Sequence, residues 1–250
     1  MITLGSLFSG IGGLDLGLER AGMTVRWQSE IDPYCVKILE KHWPNVKRYG
    51  DVTKIEWSGV EKVDCLCGGF PCPPVSVAGK RRGQEDTRWL WPHFREAIRN
   101  LRPRWIVAEN VPGLLSANLG REFGSILKDL AQLGYDAEWG LFPCCALGAP
   151  HTRERVFIMA HPASCRLEGN LREAIAQAIR YLPPETLDTW HDIRAGFNQW
   201  KVIMATPNFS RNAHGFPDRT HRIKAIGNAV APQVGEVIGR TIVRIFGDGE

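Results

Sequence analysis

Cys72 stands between Pro71 and Pro73 in CGGFPCPPVS (67–76), directly after a run, VDCLC (63–67), with the apolar character of a buried strand. Each proline fixes its own φ, so the pair holds the thiol rigidly at the carboxyl edge of a sheet, where α/β proteins bind ligands. A structural cysteine sits more naturally inside the strand, as Cys65 and Cys67 do. A thiol displayed on a turn suits nucleophilic chemistry, because the thiolate is the reactive form and nearby donors or positive charge favour it. Metal binding fits less well. Strand alternation puts Cys65 and Cys67 on one face, away from the turn, and no nearby histidine completes a zinc set. No metal is expected.

A second constellation opens the chain. In LFSGIGG (7–13) a strand ending at Phe8 gives way to a glycine-rich turn and then a helix. Gly10, Gly12 and Gly13 allow a ligand close to the backbone, with helix N–H groups aimed at anionic atoms. The pattern is not G-x-G-x-x-G, so a dinucleotide fingerprint does not fit. The next strand ends at Glu30, about 20 residues on, where nucleoside-binding α/β folds carry an acid for the ribose hydroxyls. Asp51, in YGDV (49–52), stands where a third strand could end and offers an acceptor for an adenine amino group.

The elements that must position these residues are legible as a periodic alternation. Candidate strands are ITLGSLF (2–8), TVRWQS (24–29), VDCLC (63–67), WIVAE (105–109), AEWGLF (137–142) and RVFIMA (155–160). Between them, LDLGLERA (14–21), PYCVKILEKHW (33–43), LWPHFREAIRNL (90–101) and REFGSILKDLAQL (121–133) carry apolar residues at helical spacing. Such alternation implies an α/β fold, a mostly parallel twisted sheet with helices on both faces. From Pro162 to Pro217 strand signals fade and prolines and tryptophans punctuate the chain, although LREAIAQAIRYL (171–182) reads as one amphipathic helix. The tail IGNAVAPQVGEVIGRTIVRIF (226–246) returns to regular structure. The expected organisation is therefore a catalytic domain over 1–161, a small module over 162–217, and a segment over 218–250 that packs back on the first domain.

Composition sets outer bounds. With 44% hydrophobic and 23% charged residues the chain is neither disordered nor fibrous, and a net charge of +4 is compatible with a polyanionic partner. Seven cysteines cannot all pair, and Cys144 and Cys145, like Cys65 and Cys67, lie in apolar, strand-like stretches. That usage fits a reducing cytosol. The N-terminus lacks the early Lys or Arg of a signal peptide and is interrupted by Asp15 and Glu19, and no apolar run reaches the roughly 18 residues of a membrane helix.

On these motifs the chain closely resembles the DNA (cytosine-5) methyltransferase family, and its ending, GFPDRTHRIKAIGNAVAPQV, is similar to the short bacterial and phage members. LFSGIGG, Glu30, the Pro-Cys loop, AENV (108–111), RERVF (153–157) and GNAV (227–230) occur in the family's order, across the whole chain except 162–217. The resemblance implies a Rossmann-like S-adenosylmethionine-dependent methyltransferase fold in which 162–217 is a small target-recognition module. It makes Cys72 the nucleophile toward carbon 6 of a flipped-out cytosine and Glu109 the acid at ring nitrogen 3. Arg153 and Arg155 hold the cytosine carbonyl oxygen and a neighbouring phosphate. For the cofactor, S-adenosyl-L-methionine, released as S-adenosyl-L-homocysteine, it implies Phe8, Ser9, Gly10, Ile11, Gly12, Gly13, Glu30, Ile31, Asp51, Val52, Gly69 and Pro71. Asn228, Ala229 and Val230 return from the far end of the chain to the same pocket.

Reaching a base inside a duplex requires rotating it out, at a cost of a few kcal/mol. VAGKRRGQEDTR (77–88) suits a loop closing on DNA, with Ser76, Lys80, Arg81, Arg82 and Arg88 as its DNA-binding residues. The implied partner is double-stranded DNA, with a cognate restriction endonuclease acting on the same sequence without physical contact. A monomer is expected in the bacterial or phage-infected cytoplasm, associated with the nucleoid and not with a membrane. Three positions depart from the family pattern: Pro73 replaces a frequent Gln, Val75 a common Phe, and His151 the usual Gln of the arginine motif. Rival readings are an RNA cytosine methyltransferase on the same fold, a noncatalytic nucleic-acid-binding protein that keeps the cofactor motifs, and a nicotinamide-dependent oxidoreductase. The joint presence of Cys72, Glu109, Arg153 and Arg155 speaks against the second, and the glycine pattern against the third.

Overall fold

The structure, a computed structural model, describes residues 1–71, 89–149, 151–165, 171–180, 225 and 228–247. Seven strands form one sheet: β1 (Thr3–Leu7), β2 (Thr24–Ser29), β3 (Lys47–Tyr49), β4 (Cys65–Gly69), β5 (Trp105–Asn110), β6 (Tyr135–Pro143) and β7 (Glu154–Pro162), in the order β3-β2-β1-β4-β5-β7-β6. The first five strands pair in parallel; β7 is antiparallel to β5 and β6 antiparallel to β7. The order runs outward in both directions from β1 and β4, so the crevice between their carboxyl ends is the place where such sheets take ligands.

Successive side chains of a strand point to opposite faces, and here they sort into two separate cores. Leu66, Ile106, Ala108, Val156 and Ile158 pack with Phe94, Ile98 and Leu101 of α3 (Trp91–Leu101) and with Ile126 and Leu130 of α4 (Arg121–Gln132). Cys65, Cys67, Val107, Phe157 and Met159 pack on the other face with Leu14 and Leu18 of α1 (Gly13–Arg20). That face is completed by α5 (Leu171–Arg180) and α6 (Pro232–Gly247), through Ala178 and through Val234, Val237, Ile238 and Ile242. Burying each of these aliphatic side chains is worth about 1.5–3 kcal/mol. A sheet covered on both faces reads as near-continuous apolar runs, which is why the strands stood out in sequence.

Local chemistry starts α2 (Pro33–His42): Asp32 Oδ1 accepts from the N–H groups of Tyr34 and Cys35 at 2.9 and 3.4 Å, and Pro33 occupies the first helical position. The tail docks by close backbone approach. A Cβ on Gly17 would lie 2.2 Å from the Pro232 carbonyl oxygen, so α6 meets α1 at a distance that only glycine permits.

Several observed elements differ from the sequence expectations: Lys47–Tyr49 is a strand absent from the candidates, and β6 and β7 run past 137–142 and 155–160 at both ends. The first strand ends at Leu7, because Phe8 adopts a left-handed φ of 53° that no strand accommodates. VDCLC begins its strand at Cys65 and continues to Gly69. Cys144 and Cys145 are not strand residues: they form a short 3-10 turn, Cys144–Leu147, that ends at Gly148 with φ 86°, and Cys145 is exposed. Within 171–182 the helix is described as far as Arg180. Among the described residues no helix is long and apolar enough to cross a membrane.

Candidate active site

A cavity of about 600 Å³ opens at the carboxyl ends of the parallel strands. Leu7 and Phe8 come from the end of β1, Ser29 and Glu30 from β2, Gly68 to Pro71 from β4, and Glu109 to Val111 from β5. Because β7 runs antiparallel, it is its beginning that reaches this edge, and Arg155 joins the wall there. Asn228, Ala229 and Val230 close the cavity from the far end of the chain.

On one side the glycine turn and Glu30 interlock. Gly10 has φ 56°, and a Cβ built there would meet nothing within 4 Å, so the turn presents bare backbone to open space. Its N–H donates to Glu30 Oε2 at 2.7 Å, while the N–H groups of Ile31 and Asp32 donate to Oε1 at 2.8 and 2.7 Å. A carboxylate has about four acceptor positions, so Oε2 keeps one for a hydroxyl. Asp51 spends Oδ1 on the N–H and hydroxyl of Thr53, at 3.0 and 2.8 Å, and leaves Oδ2 with Lys54 at 3.7 Å. These Thr53 bonds hold the Asp51 carboxyl below its ordinary range. Ile31, 69% exposed, puts an uncovered apolar surface on the rim, and the buried Val52 also lines the cavity. Phe8 stacks on Phe94 with centroids 6.4 Å apart, and Ser9 donates its N–H to the Ser29 carbonyl at 3.1 Å.

Ile11 and Gly12 do not line the cavity. Gly12 caps α1 with φ 80°, and a Cβ there would lie 2.4 Å from the Trp43 ring, so this glycine is fixed by helix start and packing. Gly13 does border the cavity, where it lies against the Val230 carbonyl.

The opposite side holds the charged chemistry. Glu109 is 8% exposed, and Arg155 Nε lies 3.0 Å from its Oε1. Burial raises the Glu109 carboxyl; Arg155 and Arg153 pull it down; burial wins, and the pKa rises to about 7. Gly69 stands directly opposite: a Cβ there would come within 2.6 Å of Glu109 Oε2. Arg153 is placed differently from Arg155. It lies off the cavity wall, and its Nη2 donates to the Ala229 carbonyl at 2.5 Å, which ties the start of β7 to the returning tail.

Two contributors went unrecognised in the sequence. Asn110 is buried, donates from Nδ2 to the Phe70 carbonyl at 2.9 Å, and so fastens the end of β5 to the segment leading to Pro71. Its place in AENV was the available signal. Asp15 borders the cavity while fully buried, and only its position in the first turn after the glycines hinted at it. Cys72 and the DNA-binding set Ser76, Lys80, Arg81, Arg82 and Arg88 lie outside the described residues, as do Pro73 and Val75. Pro71, immediately before Cys72, lines the cavity. Among the described residues no cluster of His, Cys, Asp and Glu could hold a metal ion.

The donor set fits a nucleoside joined to a small charged group: open acceptors on Glu30 and Asp51, an apolar rim at Ile31, and unobstructed backbone at Gly10. Comparison with known proteins agrees with that geometry. A family model described as C-5 cytosine-specific DNA methylase matches residues 2–202. The chain is 39% identical to the Type II methyltransferase M.NgoBI of Neisseria gonorrhoeae over 61% of its length, a stretch that spans 48% of that relative. Against M.Eco47II of Escherichia coli the figures are 40% identity over 63% of this chain and 39% of the relative, so the chain matches half or less of these proteins. The Type II methyltransferase M.NgoMIV of Neisseria gonorrhoeae is 30% identical across 94% of this chain and 95% of its own length. Among solved structures, a chain described as a DNA modification methyltransferase of an E. coli prophage superposes with a TM-score of 0.73 at 19% identity, covering 99% of this chain and all (100%) of that one.

Proposed function

Because the chain belongs to the C-5 cytosine-specific DNA methylase family, we propose that it methylates carbon 5 of cytosine in duplex DNA, with Cys72 as nucleophile and Glu109 as acid. Bound in the cavity, S-adenosylmethionine supplies an electrophilic methyl group. Glu30 would hold its ribose hydroxyls through Oε2, Asp51 Oδ2 would accept from the adenine amino group, Ile31 and Phe8 would flank the adenine, and Gly10 would leave room for the methionine end. Ala229 and Val230 shape the wall that the tail provides, with Asn228 at its edge.

Carbon 5 of cytosine is a weak nucleophile. The Cys72 thiolate adds to carbon 6 of the extruded ring, Glu109 gives its proton to nitrogen 3, and carbon 5 thereby gains enamine character. Carbon 5 would then take the methyl group as its bond to the sulfonium sulfur breaks, leaving S-adenosylhomocysteine as the neutral thioether. Loss of the carbon 5 proton to water, with expulsion of the Cys72 thiolate and return of the nitrogen 3 proton, restores the aromatic ring. Arg155, already paired with Glu109, fixes the acid in place and offers its remaining N–H donors to the cytosine carbonyl oxygen. Arg153 supports this indirectly, by anchoring the tail. Ser76, Lys80, Arg81, Arg82 and Arg88 neutralise phosphates, and the 162–217 module reads the target sequence. The enzyme acts on cytoplasmic DNA, alongside an endonuclease of the same specificity.

The observation that carries this reading is Glu109: a buried carboxyl with a pKa of about 7, packed against Gly69, which precedes Pro71, the loop neighbour of the proposed nucleophile, by two chain positions. Its test is covalent trapping on duplex DNA carrying 5-fluorocytosine at a target mapped by methylation-sensitive sequencing of an expressing host. Fluorine blocks the last elimination, so a cofactor-dependent adduct that survives denaturation is expected from the wild type and none from Cys72→Ala. A wild-type enzyme that turns over on that sequence but never traps would refute the mechanism.

A further inference from the structure

Beneath the glycine turn lies a polar cluster that neither the acid–base chemistry nor the nucleoside contacts use. Asp15, on α1, has no exposed surface. Its Oδ1 accepts from Ser6 Oγ of β1 at 2.6 Å and its Oδ2 from Gln28 Nε2 of β2 at 2.7 Å, and Cys67 Sγ of β4 lies 4.0 Å from Oδ1. Three adjacent strands thus converge on one carboxyl under the crevice. Ser9 Oγ lies 2.9 Å from Ser6 Oγ, which links the turn above to the carboxyl below, and both Ser6 and Asp15 border the cavity.

An acid in the first turn of a helix gains from the helix dipole, but a surface position serves that purpose without desolvation. Here the two donors are neutral, and the strongest charged neighbour of Asp15 among the described residues is Glu19, of the same sign. Burial pushes the Asp15 carboxyl up to about 6, while the hydrogen bonds from Ser6 and Gln28 favour its ionised form. A buried anion that meets only neutral donors among the described residues, bordering a cavity, favours a cation entering that cavity.

We propose that Asp15 is a charge-selecting residue of the cofactor pocket, which makes the cavity prefer the cationic sulfonium donor over its neutral thioether product. This rests on the cofactor assignment above. The two ligands share adenosine, ammonium and carboxylate and differ in the methyl group and its positive charge, so the ratio of their affinities isolates the effect.

The test is calorimetric titration of wild type, Asp15→Asn and Ser6→Ala with S-adenosylmethionine and S-adenosylhomocysteine at pH 7.5. Asn keeps the shape, and its amide can donate to Gln28 Oε1, which is buried without a partner. Asp15→Asn is expected to weaken S-adenosylmethionine about tenfold and leave S-adenosylhomocysteine within about twofold, the order expected for a partly screened buried charge. Ser6→Ala removes a hydrogen bond that holds the Asp15 carboxyl down, so its affinity ratio returns to the wild-type value as the pH is raised above 7.5. Equal weakening of both ligands in Asp15→Asn, or none, overturns the inference and leaves the cofactor reading intact. Should the Asn variant not fold, Asp15→Ser is judged by the same ratio. A wild type that binds neither ligand overturns the cofactor reading, and this inference with it.

Discussion

Glu30 and Glu109 stand on the same rim of the sheet, one just past β2 and one near the end of β5, yet their surroundings differ in kind. Glu30 accepts from three backbone N–H groups at 2.7–2.8 Å. Those donors are fixed by the glycine turn and by the start of α2, so the carboxylate is held in one orientation as a template. Glu109 is paired with a side chain, Arg155, at 3.0 Å, and burial lifts its pKa to about 7. A side-chain partner can shift when a substrate arrives, and a pKa near neutrality lets the group carry or release a proton. The same residue type at the same edge is thus suited to recognition in one case and to proton transfer in the other, and the partners decide which.

The comparison breaks most visibly at Glu109. Glu109→Gln is expected to lower kcat by about 10²–10⁴-fold, the usual share of a positioned acid, with the cofactor Kd unchanged; labelled-methyl transfer and calorimetry separate the two. The sign of the pH dependence follows from the raised pKa. The acid form works, so Glu109 gives kcat/KM an alkaline limb that falls tenfold per unit above about 7, and the Gln variant lacks that limb. Stability moves the same way: the contribution of protonated Glu109 is fully present below the unfolded pKa of about 4.3 and is lost as pH rises through about 7.

Glu30→Ala should do the opposite, raising the cofactor Kd about 10- to 100-fold while kcat at saturating cofactor stays near wild type, since hydrogen bonds to a charged group contribute about 1.5–3 kcal/mol. A large loss of kcat at saturation would erase the proposed division. Gly69→Ala sharpens it: the new methyl would sit 2.6 Å from Glu109 Oε2 and must displace the acid, so kcat drops about tenfold and the alkaline limb moves, with cofactor affinity retained. Smallest is Asp51→Asn, where the Oδ1 contacts to Thr53 can persist; a Kd increase of about threefold in titration is expected, well under 1.4 kcal/mol.

Legibility followed the range of the interactions. The central strands β1, β4 and β5 were found because they are buried nearly throughout, and Glu30 was found because an acid after the second strand is a local mark. Phe8 was misplaced into a strand because its left-handed φ answers to the turn that follows it. Gly12 was assigned to ligand approach because sequence cannot tell a glycine facing a cavity from one facing Trp43.

Local periodicity, turn residues and motif order, each set within a few positions of the chain, were determined by the sequence alone. Tertiary structure decided what depends on strand order. Placing β1 between β2 and β4 sinks Asp15 among Ser6, Gln28 and Cys67. Reversing β7 carries Arg155 to Glu109. Folding the tail onto α1 brings Ala229 to Arg153 across 76 positions of chain. Contacts of that length are fixed by the packing of whole elements, and no short window of residues encodes them.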